Sequence, residues 1–355
     1  MIERADFQNR LIQWYLENGR DLPWRKTNNP YHIWICEIIL QQTRVNQGMP
    51  YYFRFIDRFP DVASLARASE DEVLAYWQGL GYYSRARNLL LAARQIQKDY
   101  GGTIPADYNQ LLKIKGVGKY TAGAIASMAF NLPYPAIDGN VFRVLSRLFN
   151  DSTPIDGSNA YKYFEKLLQP IFDPDRPSLF NQAIIELGAL VCLPLNPNCD
   201  SCPVSNYCQA HKHATQSLLP VKQKALQPKK RYFYYFVLHD NEYIILRKRT
   251  DNDIWKMLYD FPLLEYPEKL DEPLEQLKQA EWPAPLLLSY AAELSHPVRH
   301  LLTHQQLYIW FVRVHVDQIP SMLPPNHVKV PIKKLSEWPI PKVIDNYLKK
   351  EFDLS

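Results

Sequence analysis

Residues 111–126 read LLKIKGVGKYTAGAIA. The order of these residues predicts a helix that stops at Lys115, a turn made by Gly116-Val117-Gly118, and a new helix that starts near Lys119. Glycine admits the backbone conformations such a turn needs. Backbone N–H groups at the following helix start can hold a DNA phosphate. Taken alone, the Gly-Val-Gly stretch is also read as a plain connection between two helices.

Upstream and downstream of this hairpin the first 210 residues read as a succession of helices. Val73–Leu80, Ser84–Lys98 and Tyr120–Phe130 place apolar residues at helical rather than alternating spacing. Pro and Gly breaks such as Phe59-Pro60, Gly101-Gly102 and Pro133-Tyr134-Pro135 separate them. Beyond Cys208 the texture changes. Residues 211–230 are polar, basic and proline-containing, which predicts a linker. RYFYYFVLH and EYIILRKR flank Asp240-Asn241 and predict two strands joined by a tight turn, and LYIWFVRVHV at Leu307–Val316 predicts another strand. A mostly α N-terminal part followed by an α+β C-terminal part is therefore expected.

The chain has 355 residues, 46% of them hydrophobic, enough for two domains with separate cores. No apolar run reaches the roughly 18 residues of a membrane helix, and MIERADFQNR lacks the apolar core of a signal peptide. These features predict a protein of the cytoplasm, or of a nucleus reached by other means, with no membrane partner. The net charge of +4 is unevenly spread: between residues 211 and 231, Lys212, Lys222, Lys224, Lys229, Lys230 and Arg231 stand without an acidic residue. Such a stretch suits phosphate contact and counterion release, and equally suits a solvated linker. All 12 glycines lie at or before Gly188. The C-terminal part thus has no glycine with which to build a phosphate-cradling loop, which argues against nucleotide hydrolysis there.

Four of the five cysteines, Cys192, Cys199, Cys202 and Cys208, form a C-x6-C-x2-C-x5-C cluster. Disulfides do not fit a cytoplasmic chain. Zinc knuckles usually show two close pairs, whereas one close pair with two separate thiolates favours [4Fe–4S]. Cys36 stands apart in an apolar run and reads as core.

Two carboxylates draw attention. Glu37 lies within IWICEIIL, where loss of water would raise its pKa and keep it a usable acid, although a helix-surface glutamate reads the same way. Asp138 precedes Gly139-Asn140-Val141 and an apolar helix, so it reads as an N-cap as readily as a catalytic group. The two roles are compatible, because a capping site holds the aspartate ionised.

This order of features, with the hairpin, Ile137-Asp138-Gly139-Asn140-Val141 and then the cysteines, resembles the helix-hairpin-helix DNA glycosylases of the endonuclease III superfamily. The resemblance is closer to the adenine glycosylase (MutY) family. It is carried by Leu22-Pro23-Trp24-Arg25, Trp34-Ile35-Cys36-Glu37, Leu40-Gln41-Gln42-Thr43 and Gly79-Leu80-Gly81-Tyr82-Tyr83-Ser84-Arg85-Ala86. It implies a helix-hairpin-helix glycosylase region over residues 1–210 closed by a [4Fe–4S] loop, a basic linker over 211–230, and a Nudix-like domain over 231–355 that reads the base opposite adenine. It also implies a monomer acting on double-stranded DNA that carries adenine opposite 8-oxoguanine or guanine.

The resemblance assigns roles residue by residue. Glu37 becomes the general acid that then activates water, and Asp138 stabilises the cationic sugar, a transient covalent bond being one route. Tyr120 stands where lyase-competent relatives place a Schiff-base lysine. A monofunctional glycosylase follows, since tyrosine forms no imine and the neighbouring Lys119 points elsewhere on the helix. Gly116 and Gly118 belong to the DNA-binding hairpin. Gln42 and Tyr82 match positions that insert at the lesion pair. Arg25, Gln182 and Asn140 match positions that line the adenine pocket or steady the carboxylates. In the C-terminal part Leu302-Thr303-His304 stands where the family has Phe-Ser-His, so Thr303 and His304 become the opposite-base readers; Leu294-Ser295-His296 is a competing match. Other readings of the same residues are a pyrimidine or thymine-mismatch glycosylase, and a non-catalytic iron–sulfur DNA-binding protein.

Overall fold

The structure is a computed structural model and describes residues 2–223, 228–302 and 304–352. In chain order its helices are α1 (Arg4–Asn18), α2 (Pro30–Leu40), α3 (Val45–Arg58), α4 (Val62–Arg67), α5 (Glu70–Tyr76), α6 (Ser84–Asp99), α7 (Tyr108–Leu111), α8 (Lys119–Phe130), α9 (Gly139–Leu148), α10 (Ala160–Leu168), α11 (Pro177–Leu190), α12 (Gln209–Lys212), α13 (Pro273–Leu277) and α14 (Lys342–Glu351). The strands are β1 (Lys229–His239), β2 (Tyr243–Lys248), β3 (Tyr259–Asp260), β4 (Leu263–Tyr266), β5 (Ala292–Leu294), β6 (Val298–Leu301), β7 (Gln305–His315) and β8 (His327–Pro331).

The chain divides into two compact units, Met1–Arg67 with Asn88–Ala225, and Ala68–Arg87 with Leu226–Ser355. This differs from a division at residue 210. Residues 68–87 group with the C-terminal part: Lys248 Nζ pairs with Asp71 at 2.9 Å, and the Tyr83 hydroxyl donates to the Ile340 carbonyl. The anticipated linker also differs, because its first half packs on the helical unit. Leu219 is buried, Ile155 N–H donates to the Val221 carbonyl, and Gln223 N–H donates to the Asp156 carboxylate. Buried apolar contacts and satisfied backbone groups hold that segment, which its polar composition did not reveal.

The helical unit is built around α11, which packs on α1, α8 and α9, while α2 packs on α3 and α8. Pro30 at the first turn and the Asn29 side chain, which accepts from Tyr31 N–H, start α2. From Ile33 to Ile39 every residue of α2 is buried. An apolar helix without a polar face belongs in a core, and this one carries Glu37 into it. Ahead of the hairpin, α7 ends at Leu111 rather than continuing to Lys115; tight turns follow, with Lys113 N–H donating to Gln110 and Ile114 N–H to Leu111. Gly116 then takes φ +77°, the left-handed region, and Gly118 is the N-cap of α8.

The second unit holds a mixed eight-stranded sheet of order β3-β2-β1-β7-β5, with β4 on β1, β6 on β7 and β8 on β2. Parallel pairing of β1 with β7 runs from Lys229 opposite Gln305 to His239 opposite His315. Alternate residues of β1 face two apolar layers: Phe233, Tyr235 and Val237 pack with α14, and Tyr234, Phe236 and Leu238 with the α13 side. The predicted hairpin forms, and Asp240 caps its turn by accepting from Glu242 and Tyr243 N–H groups.

Candidate active site and cysteine centre

In the helical unit a cavity of about 740 Å³ is lined by Glu37, Tyr120, Asp138, Asn140, Arg25 and Gln182, with Gln42 also on its wall. Sequence reasoning named each of these, although they come from α2, α8, α9, α11 and two loops. Gln42 follows α2 directly and has φ +57°, a left-handed conformation that is uncommon for a residue with a side chain. Cys36 is buried as expected but also lines the cavity, so it is part of the wall as well as core.

The two carboxylates have different surroundings. Burial pushes Glu37 up to about 7; the 2.6 Å hydrogen bond from the Tyr120 hydroxyl opposes this, the Asp138 charge adds to it, and Arg25 moderates it. Asp138 is the N-cap of α9: its Oδ1 accepts from Asn140 and Val141 N–H, both at 2.9 Å, and its Oδ2 accepts from Asn140 Nδ2 at 2.8 Å. Burial raises Asp138 from the ordinary carboxylate range, while those three bonds and the Arg143 charge oppose the rise. The capping aspartate therefore has more groups favouring its anion than Glu37 has. One carboxyl is set to give a proton and the other to face developing positive charge.

Tyr120 is itself pushed well up by burial and by the nearby Glu37, so it stays a hydroxyl donor. Lys119 points away, with its Nζ 5.0 Å from the centre of the Tyr161 ring.

Two contributors escaped the sequence reading. Glu186 of α11 is fully buried and held by Arg20 and Arg25. Burial alone would raise it, but these bonds outweigh burial and bring it to about 2. Arg25, the expected pocket residue, is thus an anchored cation whose guanidinium also lies over the Tyr15 ring, and Tyr15 donates to Gln182 at 2.9 Å. The signal for Glu186 was present: like Glu37 it is an acid in an apolar run, AIIELGAL. Arg143 is the other. Its Nη2 donates to Asn140 Oδ1 at 2.8 Å and its Nε to the Cys192 carbonyl at 2.7 Å, which ties the Asp138 cap to the cysteine loop.

Cys192, Cys199, Cys202 and Cys208 line one small cavity beside Arg147, His211 and Gln216. Among the described residues no three His, Cys, Asp or Glu groups converge closely enough for a single metal ion. Four thiols around one shared cavity are a donor set that an iron–sulfur cluster or a zinc ion can use, and it is the C-x6-C-x2-C-x5-C spacing that favours the cluster. Burial pushes the Cys202 thiol up to about 12, so ionising it there requires a compensating cation. The buried Oε1 of Gln216, a residue that lines the same cavity, has no partner among the described residues.

In the second unit Tyr82 and His304 line one cavity of about 450 Å³ together with Trp255, His300 and Leu302. Tyr82 is half exposed, with φ +49°. Leu302 N–H donates to the Gln305 carbonyl; Thr303 lies outside the described residues. The competing Ser295 is tied to β7, its N–H donating to the Phe311 carbonyl and its Oγ accepting from Phe311 N–H.

Residues 35–170 match the family model described as HhH-GPD superfamily base excision DNA repair protein, and residues 234–350 match that of a NUDIX domain. The adenine DNA glycosylase of Buchnera aphidicola subsp. Acyrthosiphon pisum is 32% identical over 352 residues, covering 98% of this chain and 99% of that protein. The chain belongs to the adenine DNA glycosylase family. Among solved structures, a thermostable thymine-DNA glycosylase is 27% identical with a TM-score of 0.54, covering 59% of this chain and 97% of that one. An endonuclease III solved in a non-covalent DNA complex shares the fold, with 24% identity and a TM-score of 0.52 over 61% of this chain and all of that one. As a family member the chain is an adenine-specific DNA glycosylase of base-excision repair, and DNA is its partner.

Proposed function

We propose that this protein hydrolyses the N-glycosidic bond of adenine mispaired with 8-oxoguanine or guanine, without cleaving the strand. One observation carries the reading: two buried carboxyls share a cavity, one balanced near neutrality and one held as a helix cap. Glu37 protonates the departing base and then takes a proton from water. Asp138, fixed by Asn140 and the first turn of α9, faces the cationic sugar. Tyr120 steadies Glu37 and offers no amine, while Lys119 is engaged at Tyr161, which supports hydrolysis without a lyase step.

Gly116–Gly118 would receive a phosphate through the start of α8. The Tyr82–His304 cavity would read the opposite base. Cys192, Cys199, Cys202 and Cys208 would hold a [4Fe–4S] cluster; when bound, it supplies electron-transfer capacity and crosslinks the end of the helical unit, and takes no part in bond cleavage. We place the protein in the cytoplasm, as a monomer on chromosomal DNA.

The test is incubation with duplexes carrying A opposite 8-oxoguanine, T opposite G, or an oxidised pyrimidine, each followed by hot alkali. Abasic sites confined to the adenine strand, and lost in Glu37→Gln, are expected. Cleavage of the T:G duplex would favour the thymine-mismatch reading, and strand nicking without alkali, with borohydride trapping, would overturn the monofunctional one.

A further inference from the structure

Arg147 on α9 is a fully buried cation, 1% exposed. Its Nε donates to the carbonyls of Gln216 and Leu219, its Nη1 to that of Leu193 and its Nη2 to that of Pro194. The remaining contact is Nη1 to Cys192 Sγ at 3.4 Å. These partners are neutral carbonyls or a cysteine sulfur, and among the described residues no carboxylate pairs with it. Asp138, the cap of the same helix, is engaged through Asn140 with Arg143 instead. A buried charge with no opposite charge is costly and is rarely retained for packing alone. Carbonyl dipoles lower that cost without cancelling the charge.

The cavity that Arg147 lines is the one lined by the four cysteines. A [4Fe–4S] core held by four thiolates carries net negative charge, and positive groups beside such clusters set their potential. We propose that Arg147 is the built-in counter-cation of the cluster, and so a positioning residue that couples cluster retention to folding of the 191–219 segment. The assignment rests on the [4Fe–4S] reading given above. Its consequence is reciprocal: with the cluster in place Arg147 stabilises, and with the cluster removed the same guanidinium is an uncompensated buried charge.

Arg147→Met and Arg147→Lys in the full-length protein test this. Iron and acid-labile sulfide per chain, the cluster's reduction potential by protein-film voltammetry, and melting of loaded and stripped protein are the readouts. Removing a fixed positive charge disfavours the electron-richer state. Arg147→Met is therefore expected to lose iron or to shift the potential to more negative values, with Arg147→Lys nearer the parent. Loaded Arg147→Met should melt below the parent, whereas stripped Arg147→Met should melt above stripped parent. Equal destabilisation of both forms with an unchanged potential would overturn the proposal, since it would leave only a carbonyl-bonding role. If Arg147→Met holds no cluster, Arg147→Lys decides: recovered loading supports the charge role, and absent loading in both rejects it. Zinc, or no iron and sulfide, in the parent would sink the [4Fe–4S] reading itself.

Discussion

Glu37 illustrates how far one residue can be read from its neighbours. The apolar run around it correctly pointed to a raised pKa, but the hydroxyl that tempers the rise comes from Tyr120, 83 residues away. With Glu37 in the proposed role of protonated acid, excision should fall as pH rises through about 7. Tyr120→Phe removes a bond that favours the carboxylate, so Glu37 should rise further and the falling limb should move to higher pH. Single-turnover excision measured across the neutral range checks this, and an unmoved limb would uncouple the two residues. Glu37→Gln should cost at least about 100-fold in rate with duplex binding kept, as read by single-turnover kinetics and a binding titration. Glu186 gives the opposite pH signature. Its folded value of about 2 lies below the ordinary 4.5, so it contributes stability that is present above about 4.5 and fades as pH falls towards 2. Urea midpoints of parent and Glu186→Gln should therefore differ at neutral pH and converge in acid.

At the scale of elements, α8 and α9 do most of the positioning. α8 presents Tyr120 at its first turn, and α9 uses Asp138 as its cap, so two helix starts bring Tyr120 and Asp138 to the same cavity. The segment between them crosses α8 at Gly123, where an added Cβ would meet the Pro135 carbonyl oxygen at 2.1 Å. That contact is backbone and cannot swing aside. Gly123→Ala should cost about 1–3 kcal/mol and displace the approach to Asp138, lowering both the melting temperature and the excision rate. The hairpin fails differently. Gly116→Ala forces a side chain to φ +77° and brings its Cβ within 3.0 Å of Asn88, so it should weaken duplex binding more than catalysis on saturated duplex. A comparison of dissociation constant with single-turnover rate separates the two effects. The hairpin turn was legible because glycine spacing is local, while the early end of α7 was not, because tight turns and helix share the same apolar pattern.

For the whole molecule, the division of the chain is the main departure from a linear reading. Residues 68–87 are helical in sequence character yet share a unit with the sheet, through Asp71–Lys248, Tyr83–Ile340 and Arg87–Lys256. A chain truncated after Gln223 would strip those partners. Limited proteolysis should then cut first between Ala68 and Arg87, and protection there equal to that of the full chain would count against this. What the sequence by itself determined was local: helical periodicity, the hairpin glycines, the cysteine spacing, and acids set in apolar runs. Each depends on residues a few positions apart, where chain geometry already limits the outcome. Only the tertiary structure decided which groups face those acids and cations. Tyr120 opposite Glu37, Arg20 and Arg25 on Glu186, and Arg147 buried against the cysteine loop all arise between distant segments. The physical reason is that loss of water and hydrogen bonding, which set charge and acidity, depend on what the fold packs around a side chain. For Asp138 the cap was visible in sequence, and the cavity that makes it useful was not.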